Sequence, residues 1–104
     1  MKKFRLVLSD AAVADILEQA DWYAARSGEI LGKRWEMAVA TAILRVVNRP
    51  DAGPLCAFEA SELSDVRRAA VPRFPKHLVF YRFDDREIFI LRVIHGARDL
   101  ERLL

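Results

Sequence analysis

HLVFYRFDDREIFILRVI, residues 77–94, decides the fold. Its two halves, His77–Phe83 and Glu87–Ile94, are rich in β-branched and aromatic residues and flank the polar Asp84–Arg86, which predicts a β-hairpin. If those three residues form the whole loop, Phe83 faces Glu87, Tyr81 faces Phe89, Val79 faces Leu91 and His77 faces Val93. That register puts Val79, Tyr81, Phe89, Leu91 and Val93 on one apolar face, the one expected to lie under helices. Leu78, Phe80, Arg82, Ile88, Ile90, Arg92 and Ile94 then fall on the other. A loop one residue shorter or longer would shift the pairing by one and overturn this parity.

On the N-terminal side, Val66–Val71 reads as a further strand, which Pro72–Pro75 interrupts. Pro50–Asp65 holds two prolines, a glycine and four acids (Asp51, Glu59, Glu62, Asp65) and reads as a long loop with a short helical turn at Ala60–Leu63. Before it, Glu29–Asn48 predicts a helix ended by Pro50. From Met37 to Val47 only Thr41 and Arg45 are polar, so this helix must be covered on most of its circumference, by the fold or by a partner. An earlier helix runs from the N-cap Ser9, with Asp10 in its first turn, to about Arg26, and stops at Ser27 and Gly28. Its apolar stripe is Val13, Ile16, Leu17, Ala20 and Ala24. Phe4–Leu8 predicts the first strand. On the C-terminal side Gly96 ends the last strand, and Asp99–Leu104 predicts one helical turn. The order strand, helix, helix, strand, strand, strand gives an α+β fold, a helical hairpin packed on a mostly antiparallel four-stranded sheet.

A chain of 104 residues suits a single domain, residues 1–104, and 53% hydrophobic with 31% charged residues suits a folded core under a polar surface. No apolar run approaches the roughly 18 residues of a membrane span, and the apolar stretch of MKKFRLVLSD is too short for a signal peptide. A soluble cytoplasmic protein without a membrane partner is expected. Cys56 is the only cysteine, which excludes an internal disulfide and fits a reducing compartment. Charge is unevenly placed: five bases and no acid lie between Val66 and Phe83 (Arg67, Arg68, Arg73, Lys76, Arg82). That run can attract phosphates or an acidic protein segment, or can be balanced by acids elsewhere in the fold.

The chain carries no glycine-rich phosphate loop, no nucleophile elbow and no histidine pair at metal-ligand spacing in the sequence, so neither a metal nor another cofactor is expected. What remains for chemistry is His77, Tyr81, His95 and a set of arginines. Metal-free RNA cleavage needs a base for the 2′-hydroxyl, an acid for the leaving oxygen and cations for the phosphate, and these residue types supply all three. A hydrogen-bonded structural role for each histidine is the alternative.

The stretch HLVFYRFDDREIFILRVIHGARDLERLL, preceded by VRRAAVPRFPK and by two helices of this length, resembles the ParE/RelE superfamily of toxins from type II toxin–antitoxin modules. The YR pair, the DD turn, ILRVIHGARD and the terminal LL resemble the ParE branch in particular. The superfamily implies one of two activities. RelE-like members are ribosome-dependent mRNA interferases with basic residues on the open sheet face and an acid/base near the C-terminus. ParE-like members are non-catalytic poisons of DNA gyrase. In the ribonuclease pattern Arg68 and Arg98 stand at cationic positions and His77 replaces a third. The expected tail tyrosine falls on or beside Leu104, which cannot move a proton, leaving His95 as the one substitute. The resemblance thus implies a ParE-like toxin with no catalytic residues, contacting its target through Arg68, Arg73, Arg92, Arg98, Leu103 and Leu104. The alternative is an interferase using His95, His77, Arg98 and Arg68. Either implies a cognate antitoxin, of ParD-like ribbon-helix-helix type with an acidic tail, and a target that is DNA gyrase or else the ribosome and its mRNA.

Overall fold

The computed structural model describes residues 3–96 and 99–104. Strand β1 (Arg5–Leu8) leads into helix α1 (Asp10–Ser27), then α2 (Glu29–Asn48), a 3-10 turn at Ser61–Leu63, strands β2 (Arg67–Val71), β3 (Phe74–Phe83) and β4 (Glu87–His95), and a last short helix α3 (Leu100–Leu103). The sheet order is β1-β4-β3-β2, with β1 parallel to β4 and the other pairs antiparallel. The α+β hairpin-on-sheet architecture is as expected.

Local chemistry sets the element ends. The Ser9 hydroxyl accepts from Ala12 N at 2.9 Å and opens α1. Gly28, at φ 93°, separates α1 from α2 in a conformation that side-chain-bearing residues avoid. The β2–β3 connection is tighter than expected: Val71 pairs with Phe74, so Pro72 and Arg73 alone form the turn and β3 starts at Phe74 rather than His77. Proline at the first turn position is favourable, but Arg73 takes φ 69°, usually a glycine conformation.

The β3–β4 register differs from the three-residue-loop expectation. The Asp84 carboxylate accepts from Arg86 N and Glu87 N, both at 2.8 Å, and Asp84 N donates to Glu87 O. The aspartate thereby closes a wider turn, and Phe83 pairs with Ile88. Leu91 is then bulged out between the Tyr81–Ile90 and Phe80–Arg92 pairs. The helix-covered face holds Val79, Tyr81 and Val93 as expected, but Ile88 and Ile90 join it, whereas Leu91 packs on the opposite face and Phe89 belongs to neither apolar cluster. The carbonyl of the bulged Leu91 accepts from the Ser9 hydroxyl at 2.7 Å, so one serine serves both the helix cap and the bulge.

Both sheet faces are covered. Under the helices lie Trp35, Val39, Val46, Tyr81, Ile88 and Ile90, all nearly or wholly buried. On the other face Phe80, Val66, Ile94, Cys56 and Leu63 form a second cluster, against which Phe58, Leu100, Leu103 and Leu104 pack. Helix α1 is rotated from the expected stripe. Ala12 and Ala20 are buried and Ile16 and Tyr23 pack against the core, while Val13 and Leu17 stay 41% and 54% exposed. Helix α2 is buried along Trp35, Val39, Ala42 and Val46, yet leaves Ile30, Met37 and Leu44 uncovered at 62–70% exposure. These three are spaced by seven residues on its outer side, so the fold alone does not cover this helix.

Among the described residues no helix is long and apolar enough to cross a membrane.

Candidate functional site

The end of β4 collects most of the chemistry-bearing residues. His77 and His95, eighteen apart in sequence, stand opposite each other across β3 and β4 with ring centres 5.4 Å apart. Gly96 N donates to Lys76 O, so the neighbouring His77–His95 pair is of the kind that brings side chains closest. The His77 ring also meets Trp35 edge-on at 4.8 Å. Burial, helped by the nearby His95, lowers the His77 pKa and keeps its imidazole neutral, able to accept a proton. Both histidines line a cleft of about 450 Å³ whose walls include Glu18, Trp22 and Tyr23 of α1.

Arg92, three residues before the His95 that ends this strand, is held inside the molecule. Strand β1 covers β4 only as far as Ile90, and beyond it the Asp15 carboxylate of α1 takes the place of a neighbouring strand. It accepts from Val93 N at 3.0 Å and from Arg92 Nε and Nη2 at 2.7 Å each, while Arg92 Nη1 donates to Leu103 O at 3.0 Å. The Asp15 and Arg92 side chains are 8% and 18% exposed. Asp15 holds the Arg92 pKa above its ordinary value. One carboxylate therefore ties α1 to the strand and, through the arginine, to the tail. Sequence reading missed Asp15; the available signal was an acid beside Ile16, on the face that turns inward.

The tail is docked rather than free. Leu103 and Leu104 are partly buried against the second cluster, and Glu101 Oε1 accepts from Glu59 N and, at 3.3 Å, from Ala60 N. Arg98 lies outside the described residues. Arg68 lies against the 54–56 segment and donates to Leu55 O at 3.3 Å; burial pushes up the pKa of the nearby Cys56 thiol, and the Arg68 charge works against that rise. Arg73 is exposed at the tip of the β2–β3 hairpin. The structure thus ties Arg92 to Leu103, packs Leu103 and Leu104 on one apolar cluster, and sets His77 against His95. It places Arg68 in a different cleft from the histidines.

The basic run is partly neutralised from within. Arg82 pairs with Asp65 at 2.6 Å, and Arg67 donates to the carbonyls of Asp51 and Gly53. The acidic loop returns over the strands that carry the basic run. Among the described residues no group of three or more His, Cys, Asp or Glu side chains could hold a metal ion.

Set against known proteins, residues 6–100 match the family model described as the ParE toxin of the type II toxin-antitoxin system parDE. The chain belongs to the ParE toxin family. Among curated proteins none matches it. Among solved structures, a chain of the chromosomal ParDE TA system from P. aeruginosa is similar, at 19% identity and TM-score 0.74, over 91% of this chain and 98% of that one. YafQ from E. coli strain BL21(DE3) is similar at 14% identity and TM-score 0.58, over 91% and 96%. The E. coli DinJ-YafQ toxin-antitoxin complex holds a chain similar at 14% identity and TM-score 0.59, over 93% and 96%. At such identities these structures share the fold of this ParE-family chain, and its own residues must carry any statement about its site.

Proposed function

We propose that this ParE-family chain is a toxin that inhibits DNA gyrase by binding, acts in the cytoplasm, and is neutralised by a ParD-like antitoxin. One observation carries the non-catalytic part. At the tail position where an interferase needs a proton-transfer group stand Leu103 and Leu104, which pack with Leu78, Phe80 and Ile94 on the sheet face. The target surface then comprises the exposed Arg73, the half-buried Arg68, and the tail that Arg92 secures, with Arg98 beside it in sequence. Purified protein is expected to block gyrase supercoiling or to stabilise the cleaved-DNA complex, leaving messenger RNA on ribosomes intact. Codon-specific cleavage in a ribosome assay would reject this reading.

A second reading, a ribosome-dependent mRNA interferase, draws on the apposition of His77 and His95 and the neutral state of His77, which suits a general base. It requires that His77→Ala or His95→Ala abolish toxicity. If both variants stay toxic, proton transfer by either histidine is eliminated.

The antitoxin reading is supported by the uncovered strip Ile30, Met37 and Leu44 on α2, with Val13 and Leu17 exposed on α1. An amphipathic segment laid there would bury its apolar side. The similar E. coli chain of the DinJ-YafQ structure is part of a toxin-antitoxin complex. Complex formation should slow amide exchange on the helical hairpin; protection confined to loops would count against it.

A further inference from the structure

A second cleft, of about 500 Å³, opens on the side of the molecule where the end of α2 meets the edge strand β2. Arg45 and Arg49, one turn apart at the end of α2, line it together with Arg68 of β2. No acidic residue is among its lining, and Arg45 and Arg49 form no ion pair with any described residue. Val46 and Ala69 line it with apolar surface from the helix-covered side of the sheet. Three like charges beside a low-dielectric lining concentrate a positive field that the fold itself does not neutralise.

The strand edge adds a fourth donor. Arg68 N donates outward to Pro54 O, and Cys56 N reaches Val66 O, so the 54–56 segment covers the edge of β2 only as far as Arg68. In an antiparallel pair outward and inward amides alternate, so the next outward N–H belongs to Ala70, an exposed residue that also lines the cleft. A carboxylate offers two oxygens and one charge, which a single guanidinium fork satisfies. Three guanidinium groups and a backbone N–H suit the greater charge and the three acceptor oxygens of a phosphate. The apolar lining beside them suits the sugar or base that a nucleotide carries.

The geometry points to a nucleotide-phosphate site in this cleft, with Arg45, Arg49, Arg68 and the Ala70 N–H on the phosphate and Val46 and Ala69 beside the attached nucleoside. It is separate from the histidine cleft and independent of the choice between gyrase and ribosome as target.

The test is titration of the full-length protein with adenosine 5′-monophosphate, inorganic phosphate, a single-stranded tetranucleotide and a poly-aspartate peptide, followed by amide NMR. The monophosphate or the tetranucleotide is expected to bind saturably, more tightly than inorganic phosphate, and to shift the Ala70 amide. Whichever of the two binds better identifies the source, free nucleotide or nucleic-acid strand. Arg45→Gln and Arg49→Gln should each weaken binding roughly tenfold, as the loss of one charged hydrogen bond does. Both side chains are exposed and unpaired, so an unchanged melting temperature separates this loss from misfolding. Four outcomes overturn the proposal: no saturable nucleotide binding, binding that survives the double variant, nucleotide bound no better than inorganic phosphate, or capture of the acidic peptide in preference to both.

Discussion

At the scale of single residues, two side chains show how this fold depends on close fit. The Tyr81 hydroxyl is buried and donates to Pro50 O at 2.8 Å, fastening the loop after α2 to the sheet. It leaves no room at Gly53, where an added Cβ would lie 2.3 Å from the Tyr81 hydroxyl oxygen and 2.7 Å from Arg68 O. Gly53→Ala should therefore destabilise by about 1–3 kcal/mol through forced displacement of the loop or strand. Urea unfolding checks this, and a change within error would show that the loop yields freely. His77 makes a pH prediction. Its pKa is lowered in the fold from the ordinary 6.5 by burial, with His95 adding to the effect. The unfolded chain thus binds the proton more readily, and stability must rise with pH through this range. The His77 contribution is intact above the unfolded value, and it declines as the pH falls through that value towards the lower folded one. Denaturant midpoints between pH 7.5 and 5 should show the decline, and His77→Gln should flatten it. Neither effect was legible in the sequence, because Gly53 reads as a turn residue and His77 as a strand residue until the packing around each is known.

At the scale of elements, the ends and capping chemistry of the helices follow from local sequence, whereas strand register does not. Ser9, Gly28 and Pro50 act within a few residues of their own positions, so α1 and α2 lie where they were expected. The β3–β4 register depends on how Asp84 folds its carboxylate back onto two amides and on a bulge at Leu91. Two small deviations changed the face of Ile88, Ile90 and Leu91, since side chains alternate with every residue along a strand. The junction of α1, β4 and α3 rests on Asp15 and Arg92, a pair that is almost buried and bonded on both sides. Asp15→Ala leaves the arginine without its partner and Val93 N without an acceptor. A loss of about 3–5 kcal/mol is expected, measured by thermal or denaturant unfolding. The double variant Asp15→Leu with Arg92→Met should recover part of that loss, because no buried charge remains. If the single variant unfolds like the parent chain, the pair is not the anchor described here.

At the scale of the whole molecule, the fold is a sheet with a cover on each face, and the covers differ in completeness. The acidic loop and the tail close one side through Cys56, Leu63, Leu103 and Leu104. The helical hairpin closes the other but presents Ile30, Met37 and Leu44 outward. Such a strip on a chain of this family fits an antitoxin segment better than a free surface. Met37→Glu should weaken association with the cognate antitoxin at least about tenfold, near 1.4 kcal/mol, since it places a charge in the centre of an apolar contact. Calorimetry checks the loss, and because Met37 is 70% exposed the melting temperature of the toxin alone should hardly move. Unaltered affinity would place the antitoxin elsewhere.

The sequence by itself determined the class of the fold, the helix ends and the family. Those depend on periodicity, on caps and turns, and on motifs continuous along the chain. Only the tertiary structure decided which residues meet. The widened turn at Asp84 placed Ile88 and Ile90 under the helices, and the bulge at Leu91 kept Val93 there. The early end of β1 left an edge for Asp15 to complete, drawing Arg92 inward. Pairing across β3 and β4 brought together two histidines that look unrelated along the chain. Each of these is a long-range contact set by the position of several elements at once, and no local pattern encodes it.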